Sequence, residues 1–259
     1  MEYDDIFNED VETFPWKWNL RALADLCPGI GPGTLTTVFA LVETGKSAFV
    51  VSTGFGPDSF LDQGAKVMMI CNEESAERTV QRAAMSHCGL TLEKAFQNRA
   101  YGKRMWNRVK GLAIVRDAQD YPTMDSVEAL VRKHKPDILI IDQLDKMNVS
   151  GNFQRDDLRL GEVYRKARFM AKKHKLALIA VSQADATADG RTSLRFTQMA
   201  NSKIGKAAEA DVIIGIGKEN TDTGDDNFLR YLHVSKNKLG GRHGRATVTI
   251  APDVSRYTN

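Results

Sequence analysis

The sequence predicts an α/β fold with a mainly parallel sheet and an antiparallel edge at its C-terminal end. Up to about residue 217, short apolar runs alternate with helical periodicity, a pattern typical of parallel sheets that are covered by helices. Beyond that point only strand patterns remain, and residues 231–236 and 246–250 have the spacing of a hairpin. The chain has 259 residues, which is enough for one large domain with a sizeable core.

Composition excludes several classes of protein. The net charge is only +3, so a nucleic-acid partner would need local basic patches. Cys27, Cys71 and Cys88 show no paired spacing, which favours a reducing compartment over a disulfide framework. The acidic N-terminus does not resemble a signal peptide, and no apolar run approaches the ~20 residues of a membrane span. We therefore expect a cytoplasmic protein without a membrane partner.

The N-terminal stretch, residues 1–20, is acidic and interrupted by proline, and we expect it to be an arm or linker to the domain at 21–259. Trp16 and Trp18 in this arm need an apolar surface. They either pack on their own domain or dock on a neighbouring subunit. A short helix is predicted at residues 20–26.

A predicted buried strand, residues 34–39, leads into a loop that ends in Gly45-Lys46-Ser47, the layout of a phosphate-binding loop. Backbone N–H groups in such a loop cradle anionic oxygens, Lys46 can reach the β- and γ-phosphates, and Ser47 can bind magnesium. Ala40 occupies the position of the first glycine in the full pattern, so an ordinary strand-to-helix turn is the alternative. The predicted ATP-binding residues are Ala40, Glu43, Thr44, Gly45, Lys46, Ser47 and Ala48.

The middle of the chain continues the alternation. The predicted elements are strand 66–71, helix 76–87 capped by Ser75, strand 112–116, helix 124–135 capped by Thr123, strand 137–142, helix 158–175, strand 176–182 and strand 212–216. The buried face of helix 158–175 is expected to contain Leu158, Val163, Ala167 and Met170. No element is predicted for the mixed, basic stretch 89–110.

Asp142 ends the aliphatic run 138–141, which is typical of a central parallel strand. Ligands bind at the carboxyl ends of strands in open α/β sheets, so a carboxylate here could orient magnesium. The alternative is an ordinary helix or turn cap. Its position about 95 residues after the phosphate-binding loop favours the magnesium role.

Six short motifs occur in the order and spacing of one family. They are Pro32-Gly33-Thr34-Leu35, Glu43-Thr44-Gly45-Lys46-Ser47, Asn72-Glu73-Glu74, Ile140-Ile141-Asp142, Ser182-Gln183, and Lys236-Asn237-Lys238 with Gly240. On these residues the chain resembles the RecA-like motor domain of DnaB-type hexameric replicative helicases, including the helicase half of phage primase–helicases. The resemblance covers about residues 20–257 and implies a RecA-like P-loop NTPase core that uses ATP and Mg²⁺.

The resemblance also implies residue roles. Glu73 matches the catalytic glutamate, with Glu74 the alternative one position away, and Asp142 matches the carboxylate that orients magnesium. A carboxylate favoured by a helix N-terminus is the structural alternative for the glutamates. Gln183 matches the sensor that links the state of the γ-phosphate to the DNA loops.

Lys236 and Lys238 match a basic pair that a neighbouring subunit inserts into the ATP site. The family usually has arginine at the second position, and lysine lacks the planar fork of arginine. Arg242 or Arg245 could therefore serve instead, and an ordinary exposed hairpin is the structural alternative.

The resemblance places two DNA-binding loops at residues 148–157 and 184–203, where basic side chains would hold phosphates. The candidates are Arg155, Arg191, Arg195 and Lys203. The implied partners are single-stranded DNA, further copies of the chain in a hexamer, and a primase or polymerase of a replisome. The implied activity is that of an ATP-driven ring helicase of phage type without a primase module. If the chain is phage-encoded, the implied location is the host cytoplasm. The alternatives are a filament-forming recombinase or accessory DNA-dependent ATPase, and a non-catalytic nucleotide-binding ring scaffold.

Overall fold

The computed structural model describes residues 14–201, 203–220 and 228–259, with only the backbone described at residue 203. Two short strands, β1 (Trp16–Lys17) and β2 (Gly29–Ile30), pair antiparallel beside the main sheet. The main sheet contains β3 (Leu35–Ala40), β4 (Lys66–Cys71), β5 (Leu112–Asp117), β6 (Ile138–Asp142), β7 (Ala177–Gln183), β8 (Val212–Gly217), β9 (Leu229–Asn237), β10 (Gly244–Ala251) and β11 (Arg256–Thr258).

Helices cover both faces of this sheet. They are α1 (Arg21–Ala24), α2 (Lys46–Phe55), α3 (Ala76–Cys88), α4 (Leu92–Gln97), α5 (Arg99–Trp106), α6 (Met124–His134), α7 (Asp156–His174) and α8 (Lys203–Glu209). Two predicted caps are confirmed. The Ser75 hydroxyl accepts a hydrogen bond from the third N–H of α3 at 3.2 Å, and Thr123 forms a capping box with Ser126 at the start of α6.

The strand order is β11-β10-β9-β8-β3-β7-β6-β4-β5. From β8 to β5 the neighbouring strands are parallel, whereas β9, β10 and β11 run antiparallel to their neighbours. This arrangement confirms the predicted fold class, including the hairpin at the C-terminal edge.

The core lies on both faces of the sheet because the central strands are apolar along their whole length. Residues 138–141 are fully buried, with two side chains in the cluster that contains Phe49 and two in the cluster that contains Tyr164. A smaller cluster around Phe39 and Leu194 lies beneath the loop after β7. Such double-sided burial is what the continuous aliphatic run predicts.

The predicted buried face of α7 is wrong at Leu158, which is 55% exposed. The buried stripe of this helix contains Leu160, Val163, Tyr164, Ala167, Met170 and Ala171. These positions follow helical spacing, and Leu158 lies to one side of them. The stretch 89–110, for which no element was predicted, contains α4 and α5, and β11 was also not predicted.

Trp16 and Trp18 pack on their own domain, which is one of the two predicted alternatives. Trp18 is 4% exposed, and its ring centroid lies 5.3 Å from that of Phe60 and 6.0 Å from that of Phe49. Trp16 is half-buried against the same cluster. Residues 1–13, which carry most of the predicted arm, lie outside the described residues. Among the helices that are described, none combines the length and apolarity needed to cross a membrane.

Candidate active site

The carboxyl ends of four parallel strands bring the sequence motifs together. In the register of the sheet, Ala40 at the end of β3 pairs with Gln183 at the end of β7, and Cys71 at the end of β4 pairs with Asp142 at the end of β6. The phosphate-binding loop follows β3, and Glu73 follows β4 by two residues. One edge of the sheet therefore collects groups from four separate stretches of sequence, as open α/β sheets do at their ligand sites.

Lys46 is buried at this edge, with 5% of its surface exposed. Its ammonium donates hydrogen bonds to the Leu41 carbonyl and to Gln183 Oε1, each at 3.0 Å. Burial lowers the pKa of Lys46, while the Glu73 and Asp142 carboxylates act in the opposite direction. The hydrogen bond joins the predicted phosphate-binding lysine directly to the predicted sensor.

Gly45 is required by both its backbone conformation and its neighbours. Its φ is +105°, in the left-handed region, and a Cβ here would lie 2.6 Å from Ile250 Cδ1 and 2.7 Å from the Tyr257 hydroxyl. That hydroxyl donates to the Gly45 carbonyl at 3.3 Å, and the Tyr257 ring packs edge-on against Phe49 of α2. The C-terminal strand β11 thus packs against the phosphate-binding loop through Tyr257, a contact that the sequence did not predict.

Asp142 and Ser47, the two residues predicted to hold magnesium, lie side by side and share a hydrogen bond. Asp142 is 4% exposed, and within the described part of the chain its Oδ1 has no hydrogen-bond partner. Burial raises its pKa to about 6, against the lowering effect of a hydrogen bond from Ser47. A buried, under-bonded carboxylate beside a hydroxyl fits a hard cation. Because no cluster of three metal-binding side chains occurs among the described residues, phosphate oxygens and water would have to complete the coordination.

The two adjacent glutamates have different surroundings. Glu73 lines the cavity beside the phosphate-binding loop, and its Oε1 lies 3.5 Å from Lys146 Nζ. Glu74 Oε1 instead accepts a 2.7 Å hydrogen bond from Arg82, whose Nε donates to Ser255 at 2.8 Å. Glu74 therefore ties α3 to the C-terminal segment, whereas Glu73 faces the space where a nucleotide phosphate would lie.

The cavity at the phosphate-binding loop has a volume of about 240 Å³. Its described lining is Val42, Glu43, Gly45, Lys46, Ser47, Ala48, Glu73, Arg82, Arg230, Ile250 and Pro252. Beside it lies a cleft of about 730 Å³, which shares Arg82 and Pro252 with the smaller cavity. Arg230 is 7% exposed and its Nε donates to the Thr44 carbonyl at 2.8 Å. Sequence reasoning missed Arg82 and Arg230, since their only local signal is a basic residue in an amphipathic segment.

Lys236 and Lys238 lie at the opposite end of the parallel strands, where β3 and β8 begin. The Lys238 N–H donates to the Asp211 carbonyl at 2.8 Å, and Asp211 in turn accepts from the N–H of Leu35, the first residue of β3. The phosphate-binding loop follows the other end of that six-residue strand, ~17 Å away at the usual rise per residue. Lys238 is exposed, and Lys236 donates to the Ala207 carbonyl, with burial lowering the Lys236 pKa to about 8. Neither lysine can reach the phosphate-binding loop of its own chain.

Three of the four predicted DNA-binding side chains are described, and all three are exposed. Arg155 forms an ion pair with Asp157 at 2.8 Å, and Arg191 donates to the Thr187 carbonyl at 2.7 Å. The side chain of Lys203 lies outside the described residues. The alternative finger Arg245 donates to Thr192 in the same loop as Arg191 and Arg195, at 2.7 Å.

Comparisons with known proteins agree with this geometry. Residues 17–259 match the family described as DnaB-like helicase C terminal domain. No curated protein matches the chain. Among solved structures, the ATPase domain of a phage helicase has a TM-score of 0.79 at 14% identity, over 99% of this chain and 95% of that one.

Two further solved structures are similar. One is a DnaB-like replicative helicase, whose structure was described together with its interactions with primase. Its TM-score is 0.79 at 14% identity, and the match covers 99% of this chain and 64% of that one. The RadB recombinase has a TM-score of 0.59 at 18% identity, over 93% of this chain and 97% of that one. These likenesses confirm the RecA-like fold. Because the family match runs through almost the whole chain, the protein belongs to the DnaB-like helicase C-terminal domain family, and it is an ATPase motor of the replicative DNA helicase type.

Proposed function

We propose that this motor is an ATP-driven, ring-shaped replicative helicase that translocates on single-stranded DNA. The observation that carries the proposal is the convergence of Lys46, Glu73, Asp142 and Gln183 around the phosphate-binding loop. Phosphoryl transfer needs positioned charge and an oriented water rather than covalent chemistry from the protein, and these four side chains are of the types required. We expect the protein to work in the cytoplasm, as a hexamer that engages a primase or polymerase.

Each side chain has a distinct proposed task. Lys46 would stabilise charge on the β- and γ-phosphates, and Glu73 would orient and deprotonate the attacking water. Ser47 and Asp142 would hold Mg²⁺, which supplies charge neutralisation at the phosphates when it is bound. Gln183 accepts a hydrogen bond from the Lys46 ammonium. A γ-phosphate that binds this ammonium would compete for that hydrogen bond, so the position of Gln183 would depend on the nucleotide state.

The test of this proposal is ATP turnover measured with and without single-stranded DNA over a salt series. We expect turnover to rise with DNA of any sequence and the DNA effect to fall steeply with salt, because the exposed arginines would contact phosphates. Turnover that ignores DNA at every salt concentration would contradict the proposal. Electron microscopy with ATP and DNA would separate a ring from the filament expected of a recombinase.

We further propose that the ATP site is completed by the neighbouring subunit. Lys238 lies at the amino-terminal ends of the parallel strands, away from its own phosphate-binding loop, and this position supports the proposal. A head-to-tail ring can present that end of the sheet to the phosphate-binding loop of the next subunit. The predicted arm at residues 1–20 is proposed as a second contact between subunits, apart from Trp16 and Trp18, which pack on their own domain. Arg245 is a weaker candidate finger because its guanidinium is bonded within its own chain to Thr192.

A mixing experiment tests completion in trans. Lys238→Ala should bind ATP and assemble but lose about 100-fold in DNA-stimulated turnover, the usual effect of losing a group that stabilises developing charge. Mixed with inactive Glu73→Gln, it should recover activity, because roughly a quarter of the interfaces in a randomly mixed ring pair both intact residues. Full activity of Lys238→Ala alone would exclude this lysine as the finger, and Arg242→Ala is the matched comparison.

The buried carboxylate makes a separate prediction about stability. The folded-state pKa of Asp142 is about 6 and its ordinary value is 3.8, so ionised Asp142 destabilises the fold above pH 6 and the effect vanishes below pH 4. In EDTA at pH 7.5, Asp142→Asn should therefore raise the free energy of unfolding by ~1–3 kcal/mol. Urea denaturation at pH 7.5 and pH 4 checks this, and a gain that persists unchanged at pH 4 would contradict it. A magnesium–nucleotide complex should stabilise the wild type more than the variant.

A further inference from the structure

A buried polar cluster lies directly behind the candidate active site. It consists of Asp145, Tyr164, Ser182 and Lys206, here termed the Lys206 network. Lys206 has no exposed surface, and its ammonium donates to Asp145 Oδ2 at 2.8 Å, to Ser182 Oγ at 3.2 Å and to the Ala200 carbonyl at 2.7 Å. All three ammonium donors therefore have partners inside the protein.

The Asp145 carboxylate is also saturated with donors. The Tyr164 hydroxyl donates to Oδ1 at 3.0 Å and the Ser182 hydroxyl donates to Oδ2 at 2.8 Å. The Lys206 ammonium also lies 5.7 Å from the centroid of the buried Tyr164 ring. Lys206 is fully buried and Asp145 is 16% exposed. A largely buried ion pair with complete hydrogen bonding has few alternative arrangements, so movement of one member displaces the others.

The network is one residue away from Gln183 and from Lys146, the residue that contacts Glu73. Asp145 precedes Lys146, whose Nζ lies 3.5 Å from Glu73 Oε1. Ser182 precedes Gln183, which accepts the hydrogen bond from Lys46. A change in either contact, such as the arrival of a γ-phosphate, therefore acts on backbone that is joined directly to the network.

The network is also attached to both predicted DNA loops. Loop 148–157 begins just after the turn that carries Asp145, and at its far end Arg159 donates back to the carbonyls of Asp145 at 3.2 Å and Met147 at 2.8 Å. Loop 184–203 begins after Gln183 and returns at Ala200, whose N–H donates to the Gln183 carbonyl at 2.8 Å.

We propose that the Lys206 network is a positioning unit that couples the nucleotide state at Glu73 and Gln183 to the two DNA loops. The inference rests on the proposed helicase function, and it assigns a role to residues outside the ATP cavity. Close-packed interiors switch between discrete arrangements rather than deform continuously, so a shift at Ser182 or Asp145 is passed to Lys206 and the loop it holds. A purely structural ion pair would stabilise the fold without this coupling.

The test is hydrogen exchange of the full chain with and without a non-hydrolysable ATP analogue and magnesium. In the wild type, nucleotide should slow exchange about tenfold in loops 148–157 and 184–203, a typical coupling strength. In Tyr164→Phe and Lys206→Met the two loops should change less than about twofold, while the phosphate-binding loop remains protected by nucleotide. Lys173→Met is the matched control, because Lys173 is on the same helix as Tyr164 and pairs with Glu128 at the surface.

If Lys206→Met does not fold, Tyr164→Phe alone tests the coupling, because the phenylalanine lacks only the hydroxyl and keeps the buried ring. A wild-type loop response retained in full by Tyr164→Phe, or no loop response in the wild type, would overturn the proposal. DNA-stimulated turnover of the same samples is a separate readout. Loss of DNA stimulation in the wild type with an intact loop response would defeat the helicase proposal and leave the coupling standing.

Discussion

Lys46→Ala should abolish ATP hydrolysis and leave the fold intact. Removing a positioned cation withdraws stabilisation from the developing phosphate charge, worth about 3 kcal/mol or more, so turnover should fall by at least ~100-fold. The side chain is buried without a carboxylate bonded to its ammonium, and its described partners are the Leu41 carbonyl and the Gln183 amide oxygen. Loss of the lysine breaks no hydrogen-bonded ion pair. The buried Asp142 carboxylate loses a nearby opposite charge but keeps its hydrogen bond from Ser47, so the protein should still fold.

Steady-state phosphate release and a thermal melt check this expectation together. Lys110→Ala is a suitable control because Lys110 is exposed and lies away from the cavity lining. Turnover that survives the loss of Lys46 would remove the phosphate-binding role from this loop. A melt that collapses would instead show that Lys46 is needed for the fold.

Glu73→Gln should bind ATP but hydrolyse it ~10²–10⁴-fold more slowly, because an amide cannot accept a proton from the attacking water. Glu74→Gln is the matched comparison, with the same change made one residue away. Glu74 is bonded to Arg82, so its substitution should mainly loosen α3 against the C-terminal segment. A partly exposed ion pair of this kind contributes ~1 kcal/mol or less to stability, and turnover should change little.

Single-turnover hydrolysis and nucleotide binding measured on both variants separate the two roles. If only Glu74→Gln loses turnover, the assignment of the base is wrong by one position. If both variants lose turnover equally, Arg82 and its partner Glu74 belong to the working cavity, which would fit the presence of Arg82 in its lining.

Much of the fold and part of the site could be predicted from local sequence. The run 138–141 predicts a strand buried on both faces, because an apolar stretch without alternation has no solvent-facing side. The Gly45-Lys46-Ser47 loop and the caps at Ser75 and Thr123 depend on backbone chemistry within a few residues, and the structure has them where they were expected. Leu158 was misplaced because helical periodicity gives the direction of a stripe but not the neighbour that covers it.

What the tertiary structure alone decided depends on contacts between distant parts of the chain. Arg230 bonds to Thr44 across 186 residues, and Tyr257 supports Gly45 across 212 residues. The direction of β9 carries Lys238 away from its own ATP site, and packing of α8 against α7 buries Lys206 beside Asp145. Periodicity and turn chemistry are local properties, so the sequence by itself determined most of the strands and helices and the phosphate-binding loop, but not α4, α5 or β11. Contacts between their side chains depend on strand order and helix packing. Only the folded chain therefore decided that Arg230 lines the cavity and that Lys206 joins Asp145 in the Lys206 network.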